Sequence, residues 1–113
     1  MIERDKFRIN HIRDAILEVE EYIQGFNEDD FISHKLVKNA TVRQFEIIGE
    51  AANAISDETI NKYSSVPWRA LTNFRNVLIH QYFGVDFKQV YKVIQEDLPY
   101  IKEQIIKILE DME

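Results

Sequence analysis

The sequence contains no cysteine. Disulfide frameworks and thiolate metal sites are therefore excluded, and the composition fits a reducing compartment, so a cytoplasmic setting is expected. Proline occurs twice and glycine three times in 113 residues, too rarely for a low-complexity chain. No apolar run approaches the roughly 18 residues of a membrane span. The opening Met1-Ile2-Glu3-Arg4-Asp5-Lys6 is too charged for a secretory leader. No membrane association is expected. An excess of basic charge is also missing: the formal net charge is −6. That disfavours broad, charge-driven binding of nucleic acid, but it is compatible with one local basic site or with a basic protein partner. Neither an internal repeat nor a long linker interrupts the chain, so residues 1–113 read as one domain.

What is present is helical patterning. Hydrophobic residues make up 45% of the chain, enough for a core. Ile9, Ile12, Ile16, Val19, Ile23 and Phe26 recur at spacings of three and four, which predicts an amphipathic helix from roughly Asp5 to Gln24, closed near Gly25. Asn27-Glu28-Asp29-Asp30 carries capping chemistry ahead of a short turn with Phe31 and Ile32. A long helix is expected from His34 to Ile55, apolar on several sides and therefore central or shared with a second subunit. Gly49 lies inside it, either marking a close helix crossing or simply tolerated. Ser56 suits a cap for a short helix to Tyr63, and Pro67 suits the first turn of a helix reaching Tyr82. Asp86 can cap a further helix through Glu96. Leu98, Ile101, Ile105, Ile108 and Met112 stripe a last one, with Pro99 in its first turn. No period-two strand is evident. The expected fold is an all-α, up-and-down bundle of roughly four to five main helices.

One stretch stands out chemically: Arg75-Asn76-Val77-Leu78-Ile79-His80-Gln81-Tyr82. Its arginine can grip phosphate and its histidine can move protons near neutral pH, the two capacities that RNA cleavage without a metal requires. Arg75 and His80, however, project about 140° apart on a straight helix. Either the helix tightens or frays before Gly84, or a twofold dimer brings groups from both copies to one cleft. If the groups converge, Arg75 would stabilise phosphate charge and His80 would serve as general base or acid. Asn76 would orient a phosphate or a ring nitrogen, and Tyr82 would donate a hydrogen bond, stack on a base or carry a modification.

Plainer readings compete at each position. His80 alone suits a satisfied histidine favoured by a helix C-terminus, and Arg75 alone suits an ion pair. Val77, Leu78 and Ile79 read as core or dimer residues. Trp68 beside Arg69 reads first as core, ahead of a cation–π or stacking role. Lys38 and Arg43 are candidates for basic character near the motif, and Glu46 and Glu50 read as a polar ridge. His11, His34 and His80 form neither a His-x-x-x-His pair nor a Glu-x-x-His motif, so no metal site and no cofactor are expected.

Read together, four blocks in register carry more than the motif alone. They are Ile47-Ile48-Gly49-Glu50-Ala51-Ala52, Val66-Pro67-Trp68, the run from Arg75 to Asp86, and Asp97-Leu98-Pro99. In this the chain resembles the HepT-like toxins, a branch of the HEPN superfamily, from the His11-Ile12 helix to the Asp97-Leu98-Pro99 turn. The resemblance implies a homodimeric helical bundle with an Arg-x4-His-x-Tyr motif at the twofold axis. It implies a metal-independent endoribonuclease toxin acting on tRNA or mRNA, with Arg75 and His80 as the catalytic pair and Asn76 as the supporting polar residue. It also implies a minimal nucleotidyltransferase antitoxin (MNT type) that transfers AMP to Tyr82. Asn73 departs from the small residue that many relatives have before the motif. The rival expectation is a non-catalytic helical subunit that binds nucleotide or substrate for a nucleotidyltransferase complex.

Overall fold

The computed structural model describes residues 2–81 and 84–113 of the chain. Among the described residues every regular element is an α-helix: α1 (Ile2–Tyr22), α2 (Glu28–Ser33), α3 (Lys35–Asn53), α4 (Asp57–Lys62), α5 (Trp68–His80), α6 (Phe87–Glu96) and α7 (Leu98–Met112). Five of these are long and two are single short turns, in keeping with the expected bundle. None is long and apolar enough to cross a membrane.

The stripe of α1 is the heart of the core. Ile9, Ile12, Ile16 and Val19 are fully buried, and Ile23 and Phe26 pack at the margin. The helix begins three residues earlier than its pattern predicts, because Asp5 marks no helix start. Its carboxylate is buried and accepts hydrogen bonds from Ser56 Oγ at 2.5 Å, Thr59 Oγ1 at 2.5 Å and the Ser56 N–H at 3.1 Å. Burial pushes its pKa up, but the three hydrogen bonds outweigh this and hold it below the ordinary carboxylate range. Ser56 meanwhile caps α4 by accepting from the Thr59 N–H. Asp5 thus ties the start of α1 to the cap of α4.

Local capping sets the other joints. Asn27 and Asp30 form a reciprocal capping box at the start of α2. His34 ends α2 and caps α3, its Nδ1 accepting from the Val37 N–H at 3.2 Å. Pro67 occupies the N-cap of α5, one position ahead of its expected place in the first turn. Trp68 is buried, and its indole N–H donates to the Tyr63 carbonyl at 3.0 Å, so core packing is its role. Asp86 caps α6, and Pro99 sits in the first turn of α7 as expected.

Helix α3 is central. It packs chiefly on α5 and α1, with α2 across its beginning, while α7 closes the bundle against α1 and α6. Phe45, Ile48, Gly49, Ala51 and Ala52 of α3 are buried, whereas Leu36 at its start remains 75% exposed.

Candidate functional site

Helix α5 carries the site, and its buried face fixes how the site is held. Trp68, Leu71 and Leu78 anchor it in the core. Phe74 adds an edge-on contact with Phe45 of α3, the ring centroids 5.3 Å apart. Between these anchors α5 crosses α3 at Gly49. A Cβ on Gly49 would lie 2.2 Å from the Arg75 Cβ and 2.8 Å from the Leu71 carbonyl oxygen. Gly49 therefore marks a close crossing and is not merely tolerated. The backbone of α3 directly supports the root of the Arg75 side chain.

From that root the guanidinium turns toward Asn76: Arg75 Nη1 donates to Asn76 Oδ1 at 2.7 Å. The same residue holds the histidine, since His80 Nδ1 lies 2.7 Å from the Asn76 backbone carbonyl. A carbonyl oxygen can only accept, so Nδ1 carries a proton, and in the neutral ring the lone pair belongs to Nε2. Helix α5 stays α-helical through His80, with Gln81 as its C-cap at φ −85° and ψ 73°. The helix thus ends at His80, short of the Tyr82 that its pattern predicts, and the stretch before Gly84, where tightening or fraying is one of the two expected routes, includes residues outside those described. The two side chains meet at Asn76, one at its amide and one at its carbonyl, within one copy of the chain. Tyr82, the expected modification site, lies outside the described residues.

The surroundings leave Arg75 available for an anion. Among the described residues no Asp or Glu forms an ion pair with it, contrary to the plainer reading of this arginine. One amide contact engages a single N–H of a group that has five. His80 occupies the last turn of α5. Leu78 is buried, but Val77 and Ile79 are each 45% exposed, so the motif is flanked by open apolar surface.

The weaker candidates separate from the site. Arg43 pairs with Glu46 at 3.5 Å, and the Lys38 ammonium sits over the Phe87 ring, 4.5 Å from its centroid. Glu50 is exposed, consistent with a polar ridge. His11 stacks against Phe7, and His34 is a helix cap beside Phe26. Among the described residues no group of three or more His, Asp or Glu side chains is placed to hold a metal ion. The part played by Gly49 was open in the sequence. The double use of Asn76 was not visible there, because it rests on side-chain rotamers that the sequence does not fix.

These features define a class: an all-α protein that presents an arginine and a histidine, joined through one asparagine, near the end of a half-exposed helix. The profile of the family described as ribonuclease HepT-like matches residues 12–108, and the chain belongs to that family. A Methanocaldococcus jannaschii protein named as a gamma-glutamylcyclotransferase and, provisionally, an RNase is 40% identical over 108 residues; these span 96% of this chain and 49% of that protein. The chain thus spans about half the length of that relative. A second protein of the same organism, provisionally named an RNase, is 36% identical over 93% of this chain and 97% of its own length. A Thermococcus cleftensis protein provisionally named ribonuclease HepT is 35% identical over 88% of this chain and 91% of its own. No solved structure gives a significant match.

Proposed function

We propose that residues 1–113 form a single-domain, metal-independent endoribonuclease toxin that cleaves tRNA or mRNA as a homodimer. One observation carries the reading. In a chain of the HepT-like ribonuclease family, Asn76 accepts from Arg75 Nη1 and, through its carbonyl, from His80 Nδ1. Such a hydrogen bond on Nδ1 orients the ring and leaves Nε2 as the basic nitrogen of neutral His80. His80 would take the proton of a ribose 2′-hydroxyl. The 2′-oxygen then forms a bond to the adjacent phosphorus while the bond from phosphorus to the 5′-oxygen breaks. The leaving 5′-oxygen receives a proton, giving a 2′,3′-cyclic phosphate and a 5′-hydroxyl. Arg75 stabilises the charge that builds on the non-bridging oxygens, and Asn76 keeps the guanidinium in place.

The exposed Val77 and Ile79 beside the motif favour the dimer. A second copy would supply a second His80, so that one ring acts as base and the other as acid. Regulation would come from an MNT-type nucleotidyltransferase antitoxin that adenylylates Tyr82. The added phosphate would engage Arg75 and repel RNA. Intact mass after coexpression with that partner tests this step: one AMP adds about 329 Da, as for other covalent modifications of a hydroxyl. Unmodified protein beside an active partner would remove it.

Cleavage itself is tested with purified protein, free of partner, on tRNA and mRNA, alongside Arg75→Ala and His80→Ala. Losses of about a hundredfold or more are expected for each variant. Equal cleavage by all three proteins would overturn the assignment. It would favour a non-catalytic subunit that binds nucleotide for a nucleotidyltransferase.

A further inference from the structure

We infer that the polar cleft between α3, α4 and α5 is a second RNA-binding site, which holds a phosphate of the substrate strand some nucleotides away from the bond that is cut. This rests on the ribonuclease reading and extends it to the path of the substrate. The cleft has a volume of about 530 Å³, and its walls include Asn53, Asp57, Arg69, Thr72 and Asn73. That is space enough for one nucleotide unit.

The placement of Arg69 makes the case. Arg69 is exposed, and among the described residues no carboxylate forms an ion pair with it. Arg69, Asn73, Asn76 and His80 follow one another along α5 at steps of four, three and four. Such steps align side chains in one row on a helix. The row begins in the cleft and ends at His80. Eleven residues of helix correspond to about 16 Å, or roughly five stacked nucleotides and fewer in an extended strand. An RNA strand whose scissile phosphate lies at Arg75 and His80 can therefore reach Arg69 with a neighbouring phosphate.

The chemistry of the cleft suits such a strand. Arg69 supplies a forked donor for phosphate, and the exposed amides of Asn53 and Asn73 can bond a ribose or a base edge. The Thr72 hydroxyl is engaged within the fold, 3.2 Å from the Trp68 carbonyl and 3.5 Å from the Gly49 carbonyl. Asp57 opposes the anion and keeps the isolated site weak. A strand already held at the cleavage site meets that weak site at high effective concentration, so it adds to affinity mainly for RNA long enough to span both.

The test uses the 113-residue chain in a His80→Ala background and fluorescein-labelled single-stranded RNAs of mixed sequence, about 12 and about 2 nucleotides long. For the longer RNA, Arg69→Ala should weaken binding about five- to tenfold and reduce the salt-dependence slope by about one. Asp57→Asn should tighten binding about twofold. The shorter RNA should bind equally to all three proteins. With His80 intact, Arg69→Ala should raise KM for the longer RNA and leave kcat unchanged. An unchanged affinity and slope, an equal loss on the short RNA, or no binding of the longer RNA would overturn the inference. Arg69-dependent binding without cleavage by the wild-type chain would instead overturn the ribonuclease reading and leave this site standing.

Discussion

Gly49 lies directly beneath Arg75: a Cβ on the glycine would come within 2.2 Å of the arginine Cβ and 2.9 Å of its Cγ. Helix propensity alone favours alanine over glycine inside α3 by about 1 kcal/mol. Here the contact decides the sign. The Leu71 carbonyl, 2.8 Å from the same Cβ, belongs to backbone and cannot rotate away, so α3 and α5 must separate. Gly49→Ala is expected to destabilise the fold by about 1–3 kcal/mol, read as a lower urea midpoint. Cleavage should fall further than stability explains, because the root of Arg75 moves. A variant more stable than the wild type would show that the helices do not meet there.

Much of this arrangement could be read from the chain, and the remainder shows what local pattern omits. The stripes of α1 and α7, the caps at Asn27, Ser56 and Asp86, and the break before Trp68 follow from spacing and capping chemistry, which act within a few residues. The start of α1 did not follow from the pattern: Asp5 is buried against Ser56, a partner 51 residues away, and no local rule anticipates that pairing. His34 was expected to open α3 and instead caps it, a shift of one residue set by its ring accepting from Val37. At the site, Arg75, Asn76 and His80 were legible as residue types. Their meeting at Asn76 was not, because projection angles describe where side chains leave a helix and not where their ends arrive.

Asn76 predicts a separation between rate and pH dependence. Asn76→Ala removes the amide oxygen that holds Arg75 but keeps the backbone carbonyl that holds His80. Loss of guanidinium placement should lower kcat about ten- to a hundredfold, with little change in stability. The pH at which the rate rises should stay the same, since the histidine keeps its hydrogen bond. Asn76→Asp should lose more, because a carboxylate beside Arg75 neutralises it and repels phosphate. Full activity in Asn76→Ala, or a displaced pH profile, would show that the asparagine does not act as a tether for the arginine alone.

Asp5 predicts an acid-dependent loss of stability. Its pKa is depressed in the folded chain because Ser56 and Thr59 donate to the carboxylate, against the opposing effect of burial. Folding therefore gains from the ionised form above the unfolded-state pKa of about 3.9, and the gain disappears as pH falls through the lower folded value. Asp5→Asn should cost about 1–3 kcal/mol at neutral pH. The difference from wild type should shrink as the pH is lowered past 4 (approximately, from the unfolded value). Denaturant unfolding of both proteins across this range checks it. A gap that stays constant in acid would mean that the charge on Asp5 contributes nothing.

The open apolar surface beside the motif makes the proposed dimer testable by residues that flank the chemistry without entering it. Val77 and Ile79 are each 45% exposed, so a charge at either position is tolerated by an isolated copy. Buried against a second copy, the same charge lacks a partner and disfavours association. Val77→Glu and Ile79→Glu should therefore shift sedimentation from dimer to monomer while the helical circular dichroism remains. Cleavage should fall with dimer content even though Arg75, Asn76 and His80 are all present. Leu78 is 5% exposed and lies in the core, so Leu78→Glu should unfold the chain and marks the contrasting outcome. Variants at Val77 and Ile79 that keep the wild-type mass and rate would place the copies' contact elsewhere. A monomer with undiminished cleavage would show that Asn76 assembles a complete site within a single chain.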